Sequence, residues 1–319
     1  MLTYIVRRCA VAAVMIFMVA TSVFLILHIV PGDPVEVMLS ADGGGMDADP
    51  QVVAEMRSRL GLDKPLHEQY ISYLSRIVRG DLGESFQDGG DVLANIALRL
   101  PRTLELIGMA TLLSLLAGIP IGVIAATRRG QWVDRVVGAA TSVALSIPAF
   151  VLGTLLVLVF ALMLRVVPAG GFVPFSDSPT KHLTLLLMPS IAIAVHFSAT
   201  IARMTRSTVL DVLEQDWVRT ARAKGLRERS VLRRHVVRNA LGPVITVTGL
   251  SMGSMLGGTV LVEYVFNWPG MSGFLINAVE SRDYPEVQGV VLVTATLFIL
   301  LNLVVDVIYS LLDPQVRQS

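Results

Sequence analysis

The sequence predicts an all-α membrane protein with six transmembrane helices, both termini cytoplasmic, and a large extracytoplasmic loop between helices 1 and 2. Three observations predict it. Hydrophobic residues fill 53% of the 319 positions and charged residues only 16%, a balance too apolar for a water-soluble domain. The apolar residues fall into six long runs, each at or above the roughly 20 residues that a helix needs to cross a bilayer. The charges are segregated. Arg203–Pro243 holds ten basic and four acidic side chains, whereas Pro31–Leu100 holds twelve acidic and six basic ones. Basic connections stay in the cytoplasm, so the first of these stretches faces in and the second faces out. The asymmetry reports topology and implies no nucleic-acid partner. A single cysteine, Cys9, leaves no disulfide framework and no cysteine-based metal site.

Taken in order, residues 1–30 make an N-terminal tail and the first span, with Arg7 and Arg8 ahead of an apolar run from Cys9 to Val30. The run is too long for a signal-peptide core and no A-x-A site follows, so the span is retained. Pro31-Gly32-Asp33-Pro34 ends it. Residues 31–100 form the outer segment. It has a flexible Gly-rich loop from Ala41 to Asp49, a helix from Asp49-Pro50 to Leu60 stopped by Gly61, and an amphipathic helix from Pro65 to Arg79. Leu66, Tyr70, Tyr73, Leu74 and Ile77 share one face of that helix. Gly80–Phe86 is a turn-rich connector.

Residues 101–319 hold the remaining five spans. The second is expected from Thr103 to Thr127, opened by Pro101, with Gly118, Pro120 and Gly122 pointing to a kink or a close helix contact. The third runs from Val136 to Val167 and is long enough that part of it must tilt or lie along the membrane. The fourth runs from Leu183 to Ala202. The fifth, Val244 to Val265, is rich in small residues that permit close helix approach. A short outer helix ending at Glu280 precedes the sixth, Val287 to Leu312, and Asp313-Pro314 ends it.

The basic stretch 203–243 separates spans four and five, and its pattern is not that of a linker. Trp217, Val218, Ala221 and Gly225 fall on one helical face, with Arg219, Arg222 and Lys224 off it. Gly225 suits the residue just past a helix end, where a positive φ is needed, and a second helix starts near Arg229. Helix, glycine turn and helix make a knob that can enter a groove on a partner. The pattern alone equally allows a solvated loop whose charges only set topology.

Residues 216–226 read DWVRTARAKGL and residues 238–243 read RNALGP. Together they resemble the cytoplasmic coupling loop of ABC-importer permeases, in the version carried by peptide and nickel importers, with Arg219-Thr220-Ala221 and Gly225 at the Glu-Ala-Ala-x-x-x-Gly core. The outer segment is similar to the same family at Gly61–Tyr70 (GLDKPLHEQY) and Gly80–Ser85 (GDLGES). The C-terminal part is similar at Arg282–Pro285, at Asn302, Asp306 and Tyr309, and at Asp313-Pro314. The resemblance implies a multi-pass subunit of the bacterial cytoplasmic membrane, the first permease of a heterodimeric pair. It would pair with a second homologous permease, two ATPase subunits and an extracytoplasmic substrate-binding protein. It further implies that Asp216, Trp217, Val218, Thr220, Ala221, Lys224, Gly225 and Leu226 receive the stroke of the ATPases, Ala221 by filling a groove on them.

The chain itself shows no energy-converting chemistry. A phosphate-cradling loop needs Gly-Lys-Ser/Thr, and Lys64, Lys181 and Lys224 follow Asp, Thr and Ala. The chain is therefore expected to hold no cofactor and to catalyse nothing, with ATP and Mg on the partner subunits. Ionisable residues within spans are functional candidates by default. Glu105 and Glu263 are expected at helix ends or the interface, His28 at the interface, and Asp306 as an ion-pair partner for the inner arginines. Ser146, His196, Met252 and Met255 are the candidates for the translocation path. The alternative reading, a proton-coupled secondary carrier, requires facing intramembrane carboxylates, and only Asp306 is on offer. An intramembrane enzyme lacks a paired nucleophile and base.

Overall fold

The structure, a computed structural model, describes residues 2–29, 35 and 50–312. The Gly-rich loop at Ala41–Asp49 and Asp313-Pro314 lie outside the described residues, as does the side chain of Asp306. Among those described the chain is helical, and its only β feature is an isolated bridge between Glu84 and Asp91. The helices are α1 (Leu2–Ile29), α2 (Pro50–Arg59), α3 (Leu66–Val78), α4 (Val92–Thr127), α5 (Trp132–Ser146), α6 (Ala149–Leu156), α7 (Pro179–Leu213) and α8 (Asp216–Ala223), followed by α9 (Arg238–Gly258), α10 (Val260–Val265), α11 (Met271–Glu280) and α12 (Tyr284–Leu312). Wide π-type turns extend α6 over Val157–Met163 and lead into α9 over Val231–Val237. Among the described residues, five helices are long and apolar enough to cross a membrane, or six if α5 and α6 count as one broken span.

Two boundaries differ from expectation, each for a local reason. Pro101 does not open the second span. Asp91 caps α4 ten residues earlier, its carboxylate accepting the Leu93 N–H at 2.8 Å, so Pro101 lies inside the helix, as membrane helices tolerate. The third span is two helices, because the chain turns by 97° between Ser146 and Ala149. Pro148, with φ −58° and ψ 142°, starts α6 and cannot continue α5. The fifth span continues the helix expected from near Arg229, which runs from Glu228 through Pro243 to Gly258. Its small residues divide: Gly249, Ser251 and Gly253 are buried, while Gly257 and Gly258 are exposed with nothing packed near them.

The chain forms two compact units. One comprises Val6–Thr103 and Pro269–Ile299. In it the aromatic face of α3 meets α1: Phe24 lies 5.2 Å from the Tyr70 ring and 5.6 Å from the Tyr73 ring, and the Tyr70 hydroxyl is 2.7 Å from that of Thr21. A second cluster joins Val92 and Ile96 to Met271, Phe274 and Val290. The connector after α3 is fastened by a polar bolt. Ser85 donates to Asp283 at 2.6 Å, and the backbone N–H groups of Gln87 and Glu286 donate to the same carboxylate at 3.3 and 3.2 Å. Asp283 is fully buried, and these bonds satisfy it as burial requires.

The other unit comprises Met1–Ile5, Leu104–Trp268 and Leu300–Ser319. Here Gly118 and Gly122 bring α4 against α7. A methyl at Gly122 would lie 2.5 Å from the Ala202 carbonyl, too close for any other residue.

Candidate functional site

The candidate site is α8 with its flanks. Eight residues are too few for a helix to persist on its own propensity, so packing must hold it. Val218 is fully buried and Ala221 is 8% exposed, and both join a cluster with Ala126, Val209, Val231, Val236 and Ala240. The helix ends at Gly225, whose φ of +78° would strain any residue with a β-carbon. Beyond the turn Arg222 grips Glu228 in a two-pronged pair, at 2.6 and 3.1 Å. The expected helix–glycine–helix knob is therefore present.

Its faces differ from the sequence reading. Val218 and Ala221 point into the chain's own core, so Ala221 is not free to fill a partner's groove. Trp217 does not share that face. It is 41% exposed, near His235 with ring centroids 6.5 Å apart. The outward side carries Trp217, Thr220 and Lys224 at i, i+3 and i+7, with Leu226 beyond, itself 43% exposed. An amphipathic pattern shows that one face is buried, and it is silent on whether the chain or a partner buries it.

Two polar clusters escaped the sequence reading, one beside this region and one at the other end of α7. Asp134 of α5 takes a two-pronged contact from Arg206 of α7, at 2.6 and 2.8 Å, and accepts the Gly130 N–H at 3.0 Å. Arg203 donates to Ser142 at 2.8 Å. These contacts fix the part of α7 that leads into α8. Opposite charges near the ends of consecutive spans were the available signal. The second cluster centres on His182, which is 2% exposed. Its Nε2 lies 2.6 Å from Glu105 Oε1, its Nδ1 donates to the Val173 carbonyl at 2.7 Å, and the rings of Phe172, Phe175 and Trp268 surround it. Glu105 lies inside α4, which starts at Val92, and pairs with His182 in the first turn of α7. Glu263, expected at a helix end or the interface, lies in the first turn of the short helix α10 and is 1% exposed. His28 Nδ1 donates to the Phe24 carbonyl at 2.8 Å, and its Nε2 lies 3.2 Å from Gln69 Oε1 on α3.

The four path candidates have different surroundings. Met252 lines an apolar cavity of about 350 Å³ with Leu115, Ile245, Thr248, Gly249 and Leu301. Ser146 is exposed and donates to the Ser142 carbonyl. His196 is half-buried against Phe197. Met255 is buried, its sulfur accepting from Thr111 at 3.6 Å, so it packs between helices instead of facing open space.

The sequence family described as the binding-protein-dependent transport system inner membrane component matches residues 118–318, and the family of its N-terminal part matches residues 1–107. The chain belongs to this permease family. The glutathione transport system permease protein GsiC of Salmonella typhi is 40% identical over 317 residues, 99% of each chain. GsiC of Escherichia coli (strain K12) shows the same identity and coverage. A solved structure of the MetNI methionine ABC transporter, in an inward-facing conformation, aligns with a TM-score of 0.56 at 18% identity, covering 69% of this chain and 96% of that one. This last likeness concerns the fold. The permease is therefore a multi-pass inner-membrane subunit of an ABC importer, of a family that is not itself catalytic and works with ATPases and a binding protein. Nothing among these relatives supports the proton-coupled carrier.

Proposed function

We propose that this permease forms half of the translocation path for glutathione, a peptide or a related small solute, the other half coming from a second, homologous permease. The substrate class rests on the glutathione permeases that are 40% identical to it end to end. Six spans keep both termini in the cytoplasm, with residues 1–30 as tail and first span, 31–100 as the outer segment that receives the loaded binding protein, and 101–319 as the core. ATP and Mg sit on two separate ATPase subunits, and this chain holds no cofactor.

The observation that carries the mechanism is the two-sided build of α8. Val218 and Ala221 lock the helix to α4, α7 and the start of α9, while Trp217, Thr220, Lys224 and Leu226 face outward. Asp216 and Gly225 set its two ends. A groove on the ATPase takes the outward side, and closure of the ATPases moves α8 together with α7, turning the path from one side of the membrane to the other.

The test is uptake by proteoliposomes containing this permease, its partner permease, the ATPases and the binding protein, with ATP inside. Labelled glutathione or dipeptide should accumulate only when ATP and loaded binding protein are both present. Accumulation driven by a proton gradient without ATP would overturn the reading.

A further inference from the structure

The unit built from Val6–Thr103 and Pro269–Ile299 contains a cavity of about 300 Å³ that nothing in the transport reading uses. Its walls include Phe24 near the end of α1, Tyr73 and Arg76 of α3, and Tyr284. Arg59 ends α2 and Lys64 stands on the α2–α3 connection, and among the described residues no acidic side chain lines the cavity. Tyr73 is 6% exposed and its hydroxyl has no hydrogen-bond partner. The Nε of Arg76 is likewise buried without one. Buried polar atoms are nearly always paired, so two unpaired donors beside one cavity demand an acceptor.

We propose that this cavity binds a phosphate group, held by Arg76 and the Tyr73 hydroxyl, with Arg59 and Lys64 at its rim. Three cations exceed what a single carboxylate would neutralise, and the guanidinium fork matches phosphate oxygens. Burial pushes the Tyr73 phenol up to about 12, so at neutral pH it donates. The aromatic walls suit a ligand with apolar substituents. Phe24 and His28, which also lines the cavity, belong to the last turns of a helix long and apolar enough to span the membrane. That is the level at which headgroups lie, so the phosphate comes either from a phospholipid or from solution.

Two arms separate the sources, both using the full chain in its assembled transporter. In the first, delipidated transporter is titrated with inorganic phosphate, with chloride as control, and thermal unfolding is followed. In the second, native mass spectrometry counts phosphatidylglycerol retained after extraction from membranes. Each arm compares the natural chain with Tyr73→Phe, which keeps the ring and removes only an unpaired hydroxyl, and with Arg76→Gln. A phosphate-dependent stabilisation needing at least fivefold more phosphate in both variants assigns a free anion. Retained phosphatidylglycerol that falls at least fivefold in both variants assigns a headgroup. Absence of binding in both arms, or binding that either variant leaves unchanged, overturns the proposal.

Discussion

Helices α3 and α8 are both short, both amphipathic and both outside the candidate spans, yet they are fastened in different ways. The face of α3 is held by residues remote in sequence: Phe24 and Leu292 pack on Tyr73, and the connector that follows is bolted by Ser85 to Asp283, 198 positions away. The core under α8 is mostly its own neighbourhood, Val209, Val231, Val236 and Ala240, with Ala126 from α4. Its polar contacts are exposed pairs, Arg222–Glu228 and Arg219–Asp216, which contribute little. On the proposed mechanism, local fastening lets α8 travel with α7 and α9. Remote fastening ties α3 and its connector to α1 and α12 within one unit. The contrast suits a transmitting element on one hand and a docking surface on the other.

Substitutions that separate the two kinds of fastening should break this contrast if it is wrong. The largest effect is expected from Ala221→Asp. It places a carboxylate in the core beneath α8, with no partner among the apolar side chains there, at a cost of about 3 kcal/mol or more. Membrane abundance of the permease should fall, as read by quantitative immunoblot. Normal abundance with uptake abolished would instead put Ala221 on the partner's side. Asp283→Ala comes next. It strips the acceptor from the Ser85 hydroxyl and two backbone N–H groups, costing about 2–3 kcal/mol. Thermal unfolding in detergent should show the loss, and an unchanged midpoint would deny the bolt. Gly225→Val should cost about 1–2 kcal/mol through its positive φ alone, since no neighbouring atom lies near the added β-carbon. It should leave assembly intact and lower the stimulation of ATP hydrolysis by loaded binding protein. Arg222→Ala removes an exposed pair and should shift stability by less than about 1 kcal/mol, with uptake near normal.

Much of this was legible in the sequence, and the failures share a cause. Apolar runs and the glycine turn at Gly225 are local features; the turn stands where the sequence placed it, and the apolar runs became helices with shifted or broken boundaries. The amphipathic helices ending at Gly61 and running from Leu66 to Val78 were legible for the same reason. Relations between segments were not. The stretches GDLGES and RDYP were both conspicuous, but nothing in a linear pattern says that Ser85 and Asp283 of those stretches bond to each other. Nor does periodicity reveal what covers an apolar face, so Trp217 and Ala221 were grouped together when one faces out and the other in. Pro101 misled because proline ends helices in water more reliably than in a membrane segment, and the capping Asp91 outweighed it.

The account rests most heavily on which side of α8 meets the ATPase, and site-directed cross-linking reads that directly. With Cys9 replaced by serine, single cysteines are placed at Thr220 and at Ala221, and the assembled transporter is treated with a short thiol-to-amine cross-linker. The account predicts that Thr220→Cys links to an ATPase subunit in high yield and that Ala221→Cys does not. Efficient linkage from Ala221→Cys, with none from Thr220→Cys, would contradict it.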